Sequence, residues 1–393
     1  MHSRTVRGPA RAIGAVLATS RRSHRLESRS RLAGGRLAGR IPRAWITGTE
    51  PMPDRRPVAA LVTPLSGPLA GYGRAGAAAL GLWAAEANVE LEVRDAHPSA
   101  AAALGSALGS RRRPDVVFGP YGSGPAVAVA GATRSVVWNH GGATARLSRP
   151  RFPHVINVPA PACTYLAATL AAIEVPALAG RAALLLHSTT GFGREVASGA
   201  IRAAGAAGLA VTELAFKPGE GARAASMVTQ LPDAEVLLVA GAFDDEVAIA
   251  ERLLGRRWCV AAFVAAGVEE ILRPLGERLE GAYGPCQWVA ETAPEPELGP
   301  DQRWFSAAYQ RATGAPPPYP AVAAYAAGVL WEHCSGQAST VEPAAVAAAA
   351  AGLHTTTLFG RFRLDPVTGL QDGHRVGVVR WRSGRRVPVV SPT

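Results

Sequence analysis

Short apolar strands alternate with helices along most of the chain, and this alternation limits how it can fold. Val58–Thr63 is a continuous apolar stretch typical of a buried strand, and the helical pattern Ala75–Asn88 follows it. The same order recurs in Val89–Arg94 and Ala100–Leu108. Because strand–helix–strand units place their strands side by side in one direction, the pattern predicts parallel sheets covered by helices.

A proline cluster divides this alternation into two series. Pro153, Pro159 and Pro161 follow the first series, and the second begins with the helical segment Thr164–Ala172. The chain ends in short β segments with a turn at Asp365–Gly369. We therefore expect an α/β protein with two doubly wound, Rossmann-like lobes.

The net charge of +11 comes almost entirely from the first 56 residues. This segment holds 13 arginines and three acids, whereas the other 337 residues hold 28 basic and 27 acidic residues. The near-neutral remainder gives no reason to expect a nucleic-acid partner. No apolar run approaches the roughly 18 residues that span a bilayer, so no membrane span is expected.

Residues 1–56 are predicted to be a disordered basic arm or to be absent from the mature protein. The short apolar stretch Ala12–Ala18 is followed at once by further arginines, which an export signal does not require. No lipidation site is found either. Met52 stands directly before the first strand, and we favour translation from there.

The first of three glycine-rich candidate sites is Gly71-x-Gly73-x-x-Gly76. With Asp95 after the next strand, it has the residues of a dinucleotide fingerprint. That fingerprint needs its first glycine directly after the strand, whereas Pro64–Ala70 intervene here. An NAD(P)-dependent oxidoreductase is the alternative that this motif supports.

The other two glycine-rich segments each follow a predicted strand. Gly119–Gly124 leads into a helix near Pro125, whose free amides and the Ser123 hydroxyl could hold a carboxylate; an ordinary tight turn is the competing interpretation. Trp138–Thr144 is a turn of small residues that a ligand can approach closely. We interpret His140 within it as structural, not catalytic.

Neither the acids nor the cysteines predict a metal site. Asp244, Asp245 and Glu246 suit the first turn of a helix, where negative charge complements the helix dipole. The cysteines are widely spaced and lack a C-x-x-C pair. We expect isolated buried thiols, with three disulfide pairings open if the compartment is oxidising: Cys163, Cys259, Cys286 and Cys334.

Taken in order, these motifs resemble the Leu/Ile/Val-binding protein family, the type 1 periplasmic binding proteins of branched-chain amino-acid ABC importers. The similar segments are Leu61–Gly73, Asp115–Ala126, Trp138–Thr144, Gly191–Gly193 and Gly360–His374. The resemblance implies two lobes joined by three crossovers, with a ligand enclosed by hinge closure. The implied crossovers lie near Val158–Pro161, Gly284–Gln287 and Leu364–Pro366. The implied lobes are 57–158 with 285–364, and 159–284 with 365–393.

The resemblance also implies the ligand contacts. A ligand carboxylate would meet Ser123 and the turn formed by Gly141, Gly142, Ala143 and Thr144. The cleft would be lined by Tyr72, Phe192 and Phe243. The family's acid for the ligand ammonium is missing from Val264–Val268, and Glu269 is displaced from it. We therefore expect a carboxylate or amide ligand without an α-ammonium, or a shifted role for Glu269.

The expected function is that of a non-enzymatic, extracytoplasmic solute-binding protein without cofactor or metal. Its partners would be a small molecule, either an amino acid or a related carboxylate or amide, and an ABC transporter permease. A cytosolic ligand sensor on the same fold is the alternative that the missing export signal supports.

Overall fold

The computed structural model describes residues 55–173, 178–231, 233–256 and 258–389, without the side chains of Glu269 and Glu270. Of the predicted N-terminal arm 1–56, the part up to residue 54, with Met52, lies outside these residues. Its last two residues are placed against the first lobe: Arg55 donates to Asp115 at 3.0 Å and Arg56 to the Val89 carbonyl at 2.9 Å. The described chain forms two α/β lobes, each built on its own sheet. Within it, no helix is both long enough and apolar enough to cross a membrane.

The first lobe is built on five parallel strands in the order β2-β1-β3-β4-β5. Its elements are β1 (Val58–Thr63), α1 (Ala70–Glu86), β2 (Glu90–Asp95), α2 (Ala100–Leu108), β3 (Val116–Phe118), α3 (Ser123–Ala132), β4 (Val137–Asn139) and β5 (Val155–Asn157). All six residues of β1 are buried, because the strand is central and helices cover both faces of the sheet.

The second lobe continues the alternation of strands and helices. Its elements are α4 (Tyr165–Ala172), β6 (Ala182–Ser188), α5 (Gly191–Ala206), β7 (Ala210–Phe216), α6 (Gly221–Met227), β8 (Val236–Ala240), α7 (Phe243–Leu253), β9 (Val260–Phe263), α8 (Glu269–Leu272) and β10 (Tyr283–Cys286). The strands β6 to β10 are parallel.

The C-terminal part of the chain returns to both lobes. Its elements are α9 (Gln302–Thr313), α10 (Tyr319–Ala338), α11 (Pro343–Gly352), β11 (Thr355–Thr357), β12 (Gly360–Phe362), β13 (Gly377–Arg382) and β14 (Arg385–Pro388). The helices α9 to α11 pack on the first lobe, while β13 and β14 complete a seven-stranded second sheet in the order β14-β13-β10-β9-β8-β6-β7.

The core of the first lobe is centred on Trp83 of α1. Its ring meets Phe118 of β3 edge-on, at 5.4 Å between ring centroids, and Trp331 of α10 at 5.8 Å. A Cβ on Gly328 would lie 2.3 Å from the Trp83 ring, so this glycine lets α10 approach α1. The returning helices are therefore part of the first lobe's core.

Within residues 55–389 as described, the chain passes between the lobes three times: between β5 and α4, between β10 and α9, and between β12 and β13. Two of these passages are joined by Gln287. Its Oε1 accepts the Ala160 amide at 3.1 Å, and its Nε2 donates to the Ala160 carbonyl at 2.9 Å. This paired bond fixes the two passages against each other.

Candidate functional site

An aromatic cluster lies where the two lobes meet. The Tyr72 ring of α1 stacks on Tyr121 at 4.8 Å and contacts Phe243 of α7 at 5.6 Å, measured between ring centroids. Val268 is buried with them, and Leu69, Ile271 and Tyr319 pack around them. We call these seven residues the aromatic cluster. Ligands of α/β proteins bind outside the carboxyl ends of the strands, which is where the cluster lies.

The turn after β3 places Tyr121 in this cluster. Gly122 has a φ of +97°, which favours glycine, and its amide donates to the Gly141 carbonyl at 3.0 Å. Tyr121 pairs with Gly141 as a parallel bridge, and a Cβ on Gly141 would lie 2.6 Å from the Tyr121 Cα. The predicted turns at Gly119–Gly124 and Trp138–Thr144 therefore lie side by side.

Ser123 begins α3 beside the aromatic cluster. The first helical bond of this segment runs from the Ala126 amide to the Gly122 carbonyl, so the amides of Ser123 and Gly124 have no partner within the helix. Ser123 is half-buried, and its hydroxyl makes no hydrogen bond within the described residues. The end of a helix with free amides and a hydroxyl suits an anion or an amide oxygen.

The turn after β4 is held by Asn139. Its Oδ1 accepts the Gly142 amide at 2.8 Å, and its Nδ2 donates to the Gly142 carbonyl at 2.7 Å. A Cβ on Gly142 would lie 2.4 Å from that of Ala126, so Gly142 packs under α3. Ala143 is buried with the apolar core of the second lobe. Of the predicted ligand contacts Gly141, Gly142 and Ala143, it is Gly141 that lies beside the aromatic cluster.

Thr144 is bonded across the lobes to Glu195 of α5. The Thr144 hydroxyl donates to Glu195 Oε1, and the Ala145 amide donates to Glu195 Oε2 at 2.8 Å. The hydroxyl of Thr144 and the amide of Ala145 are therefore already bonded to a carboxylate of the protein itself. This contact is invisible to local sequence patterns, because Glu195 lies 51 residues further along the chain.

The predicted lining residues fall into two groups. Tyr72 and Phe243 are together in the aromatic cluster. Phe192 instead packs edge-on against Tyr165, 5.8 Å away, within the core of the second lobe. The side chain of Glu269 lies outside the described part of the chain. The sequence does not predict Tyr121 as a lining residue, although Tyr121 lies inside the glycine-rich candidate site Gly119–Gly124.

The acids of the first turn of α7 bind backbone amides instead of a metal. Asp245 accepts the amides of Gly219 and Gly221 at 3.0 and 2.9 Å. Glu246 accepts those of Gly241 and Ala265 at 2.8 and 2.7 Å. Burial raises the pKa of Glu246 to about 8, although these hydrogen bonds act in the opposite direction. Among the described residues, no group of three potential metal ligands occurs.

The dinucleotide fingerprint is not formed. Gly71, Gly73 and Gly76 lie within α1, which begins at Ala70 and not at Ala75 as predicted. A Cβ on Gly73 would lie 1.7 Å from the Pro64 carbonyl oxygen, so this glycine serves the packing of helix against loop. The motif is therefore not the strand-to-helix turn that cradles a pyrophosphate.

The four cysteines are free thiols in the structure, but only Cys286 and Cys334 are buried as predicted, whereas Cys163 is half-buried and Cys259 is exposed. Burial raises the pKa of Cys286 to about 12, and that of Cys334 likewise to about 12. Reactive cysteines need a stabilised thiolate, so these two serve as small apolar residues of the cores.

Comparison with known proteins identifies the fold and the family. The leucine-binding protein LivK from Thermotoga maritima shares 15% identity, with 84% of this chain and 97% of that chain covered and a TM-score of 0.71. An ABC transporter solute-binding protein from R. palustris in complex with benzoate shares 17% identity, with 85% and 96% covered and a TM-score of 0.70. A second one from R. palustris, in complex with 4-hydroxybenzoate, shares 16% identity, with 86% and 96% covered and a TM-score of 0.70.

At these identities the structural likeness establishes the fold. No curated protein sequence matches the chain. The family described as periplasmic binding protein matches residues 58–386, which is most of the sequence. The family and the proteins of similar structure are non-enzymatic solute-binding proteins. The alternative of an NAD(P)-dependent oxidoreductase is therefore wrong. The chain belongs to the periplasmic binding protein family and has its type 1 fold.

Proposed function

We propose that this protein captures a small carboxylate or amide between its lobes and delivers it to the permease of an ABC importer. The observation that carries the proposal is the aromatic cluster, because Tyr72 and Tyr121 of the first lobe meet Phe243 and Val268 of the second. A site shared by both lobes couples ligand binding to hinge closure.

The ligand's polar end is assigned to the start of α3. Ser123 supplies a hydroxyl and two neighbouring helix amides there, next to Tyr121. The ligand's apolar body would lie against the aromatic cluster, replacing contacts that Tyr72 and Phe243 now make with each other. This arrangement suits an amino acid, an aromatic acid or an amide, and two of the similar structures are complexes with benzoate and 4-hydroxybenzoate.

An ammonium group has no assigned partner among the described side chains. Asp245 and Glu246 are buried and bound to backbone amides. The segment Val264–Gly267 is an apolar, buried 3-10 helix. We therefore propose a ligand without an α-ammonium. If the ligand is an amino acid instead, we propose that Glu269 binds its ammonium group.

We propose the lobe boundaries and the cellular location from the same resemblance. Residues 57–158 and 285–364 would move as one lobe, and 159–284 and 365–393 as the other. The protein would act outside the cytoplasm, as the family name indicates. Fractionation of the host tests the location, and recovery in the cytosol would favour a ligand sensor.

A thermal-shift screen of the full chain against amino acids, aromatic acids and amides tests the function. A ligand at a hundredfold excess over its Kd stabilises the folded state by about 2.7 kcal/mol. We expect a carboxylate or amide to raise the Tm, and Ser123→Ala to reduce that shift. Ser106→Ala, an exposed serine of α2, is the matched control. A panel without any stabilising compound would contradict the proposal.

A further inference from the structure

His140 is a buried histidine whose ring makes no hydrogen bond to another described residue. The residue is 1% exposed, and within the described part of the chain neither Nδ1 nor Nε2 has a partner beyond its own backbone. Leaving a buried polar group unpaired costs about 1–3 kcal/mol. Folded proteins retain few such groups, and each calls for an explanation.

The ring lies beside the two helices that bring tyrosines to the aromatic cluster. Its Cε1 is 3.4 Å from the position that a Cβ on Gly76 would take, one turn along α1 from Tyr72. The carbonyl oxygen of Pro320 lies 3.8 Å from the same position, and Pro320 follows Tyr319 at the start of α10. Gly76 therefore leaves room for the ring between α1 and α10.

The third tyrosine approaches from the strand side. His140 follows β4, and its neighbour Gly141 pairs with Tyr121. The Tyr121 and Tyr319 hydroxyls are 2.7 Å apart and hydrogen-bonded to each other. The segments that carry all three tyrosines of the aromatic cluster thus converge on one unpaired imidazole.

The buried ring is uncharged at neutral pH. Burial lowers the pKa of His140 to about 4, so near pH 7 one ring nitrogen is a donor and the other an acceptor. A buried neutral imidazole can form a hydrogen bond with an uncharged donor or acceptor group. Because it carries no charge, it cannot form an ion pair with a carboxylate.

We propose that His140 is a specificity-determining residue that binds an uncharged hydroxyl or carboxamide of the ligand, apart from the group held by Ser123. This rests on the proposed function. When the lobes open, Phe243 and Val268 leave with the second lobe, and the ligand reaches His140 as the side chains of Tyr121 and Tyr319 turn aside.

The stability of the ligand-free protein tests the first half of the proposal. If the ring is unpaired until ligand binds, His140→Leu should unfold no more readily than wild type, because functional residues are often a cost to stability. The matched control is His154→Leu. His154 is also buried, but its Nε2 bonds to the Ala130 carbonyl at 3.0 Å, so losing it should raise the unfolding constant by about fivefold. An equal loss in His140→Leu would overturn the proposal.

Ligand discrimination tests the second half. Calorimetry would compare benzoate with 4-hydroxybenzoate and with 4-carbamoylbenzoate, which separates a hydroxyl from a carboxamide. Wild type should bind one substituted probe about tenfold more tightly than benzoate. His140→Leu should bring the ratio near one without weakening benzoate, while His154→Leu keeps the ratio.

The outcomes separate this proposal from the proposed function. No preference in wild type, or an unchanged preference in His140→Leu, would overturn the role of His140 while ligand binding itself stands. Binding of an aliphatic amino acid, with no binding of the three probes, would likewise overturn the role of His140 and leave ligand binding intact. If no compound binds at all, the proposed function fails, and the ligand-binding role of His140 falls with it.

Discussion

At the residue scale, Glu246 makes stability depend on pH. Burial raises its pKa to about 8 in the folded protein, against 4.5 ordinarily. The folded state therefore binds a proton that the unfolded state releases, so this contribution is complete below about pH 4.5 and is lost as pH rises through 8. We expect it to lower the free energy of unfolding by up to about 1.4 kcal/mol per pH unit in that window.

Urea denaturation at pH 5.5, 7 and 8.5 checks this expectation. Glu246→Gln cannot titrate, so its free energy of unfolding should fall less between pH 5.5 and 8.5 than that of wild type. Glu251→Gln, at an exposed position of the same helix, should follow wild type. Parallel pH profiles for wild type and Glu246→Gln would contradict the assignment.

The sequence placed the acids correctly but explained them only in part. Asp245 and Glu246 do lie in the first turn of α7, where the helix dipole favours them. Their main partners are the amides of Gly219 and Ala265, 26 and 19 residues away. Such contacts follow from the packing of loops and leave no local signal. The same holds for Glu195 at Thr144.

At the scale of elements, two glycines of α1 have opposite roles. No described atom lies within 4 Å of a Cβ on Gly71, whereas a Cβ on Gly73 would collide with the Pro64 carbonyl. We expect Gly71→Ala to stabilise the protein by at most about 0.5–1 kcal/mol, the value for a helix interior, because Gly71 lies in the first turn of α1. Gly73→Ala should destabilise it by about 2 kcal/mol or more.

Guanidinium denaturation of both variants measures this difference. Equal effects of Gly71→Ala and Gly73→Ala would show that the Pro64 carbonyl does not crowd Gly73. The sequence predicted α1 to start at Ala75, because glycines weaken helices. Tertiary packing overrides that preference here. It also creates the short strand β5, whose three residues are too few for a clear pattern.

At the scale of the whole molecule, the bond between Thr144 and Glu195 joins the two lobes directly. The Glu195 carboxylate accepts hydrogen bonds from both the Thr144 hydroxyl and the Ala145 amide. Hydrogen bonds to charged groups contribute about 1.5–3 kcal/mol. We expect Glu195→Ala to shift the ligand-free protein toward an open form.

Small-angle X-ray scattering detects this opening as a larger radius of gyration. Ser198→Ala, at an exposed position of the same helix, should leave the radius unchanged. An unchanged radius for Glu195→Ala would show that the contact does not control closure. The two series of strands and helices predicted the two lobes. They could not show how the lobes touch, since Thr144 and Glu195 belong to different series.

Calorimetry with the best compound from the screen tests the central claim, that one ligand is held by both lobes. Tyr72 belongs to the first lobe and Phe243 to the second, and their rings are 5.6 Å apart. Losing an aromatic anchor costs about 2 kcal/mol or more. We predict one site per chain in wild type and at least about tenfold weaker binding in both Tyr72→Ala and Phe243→Ala. Unaltered affinity in either variant would contradict a site shared between the lobes.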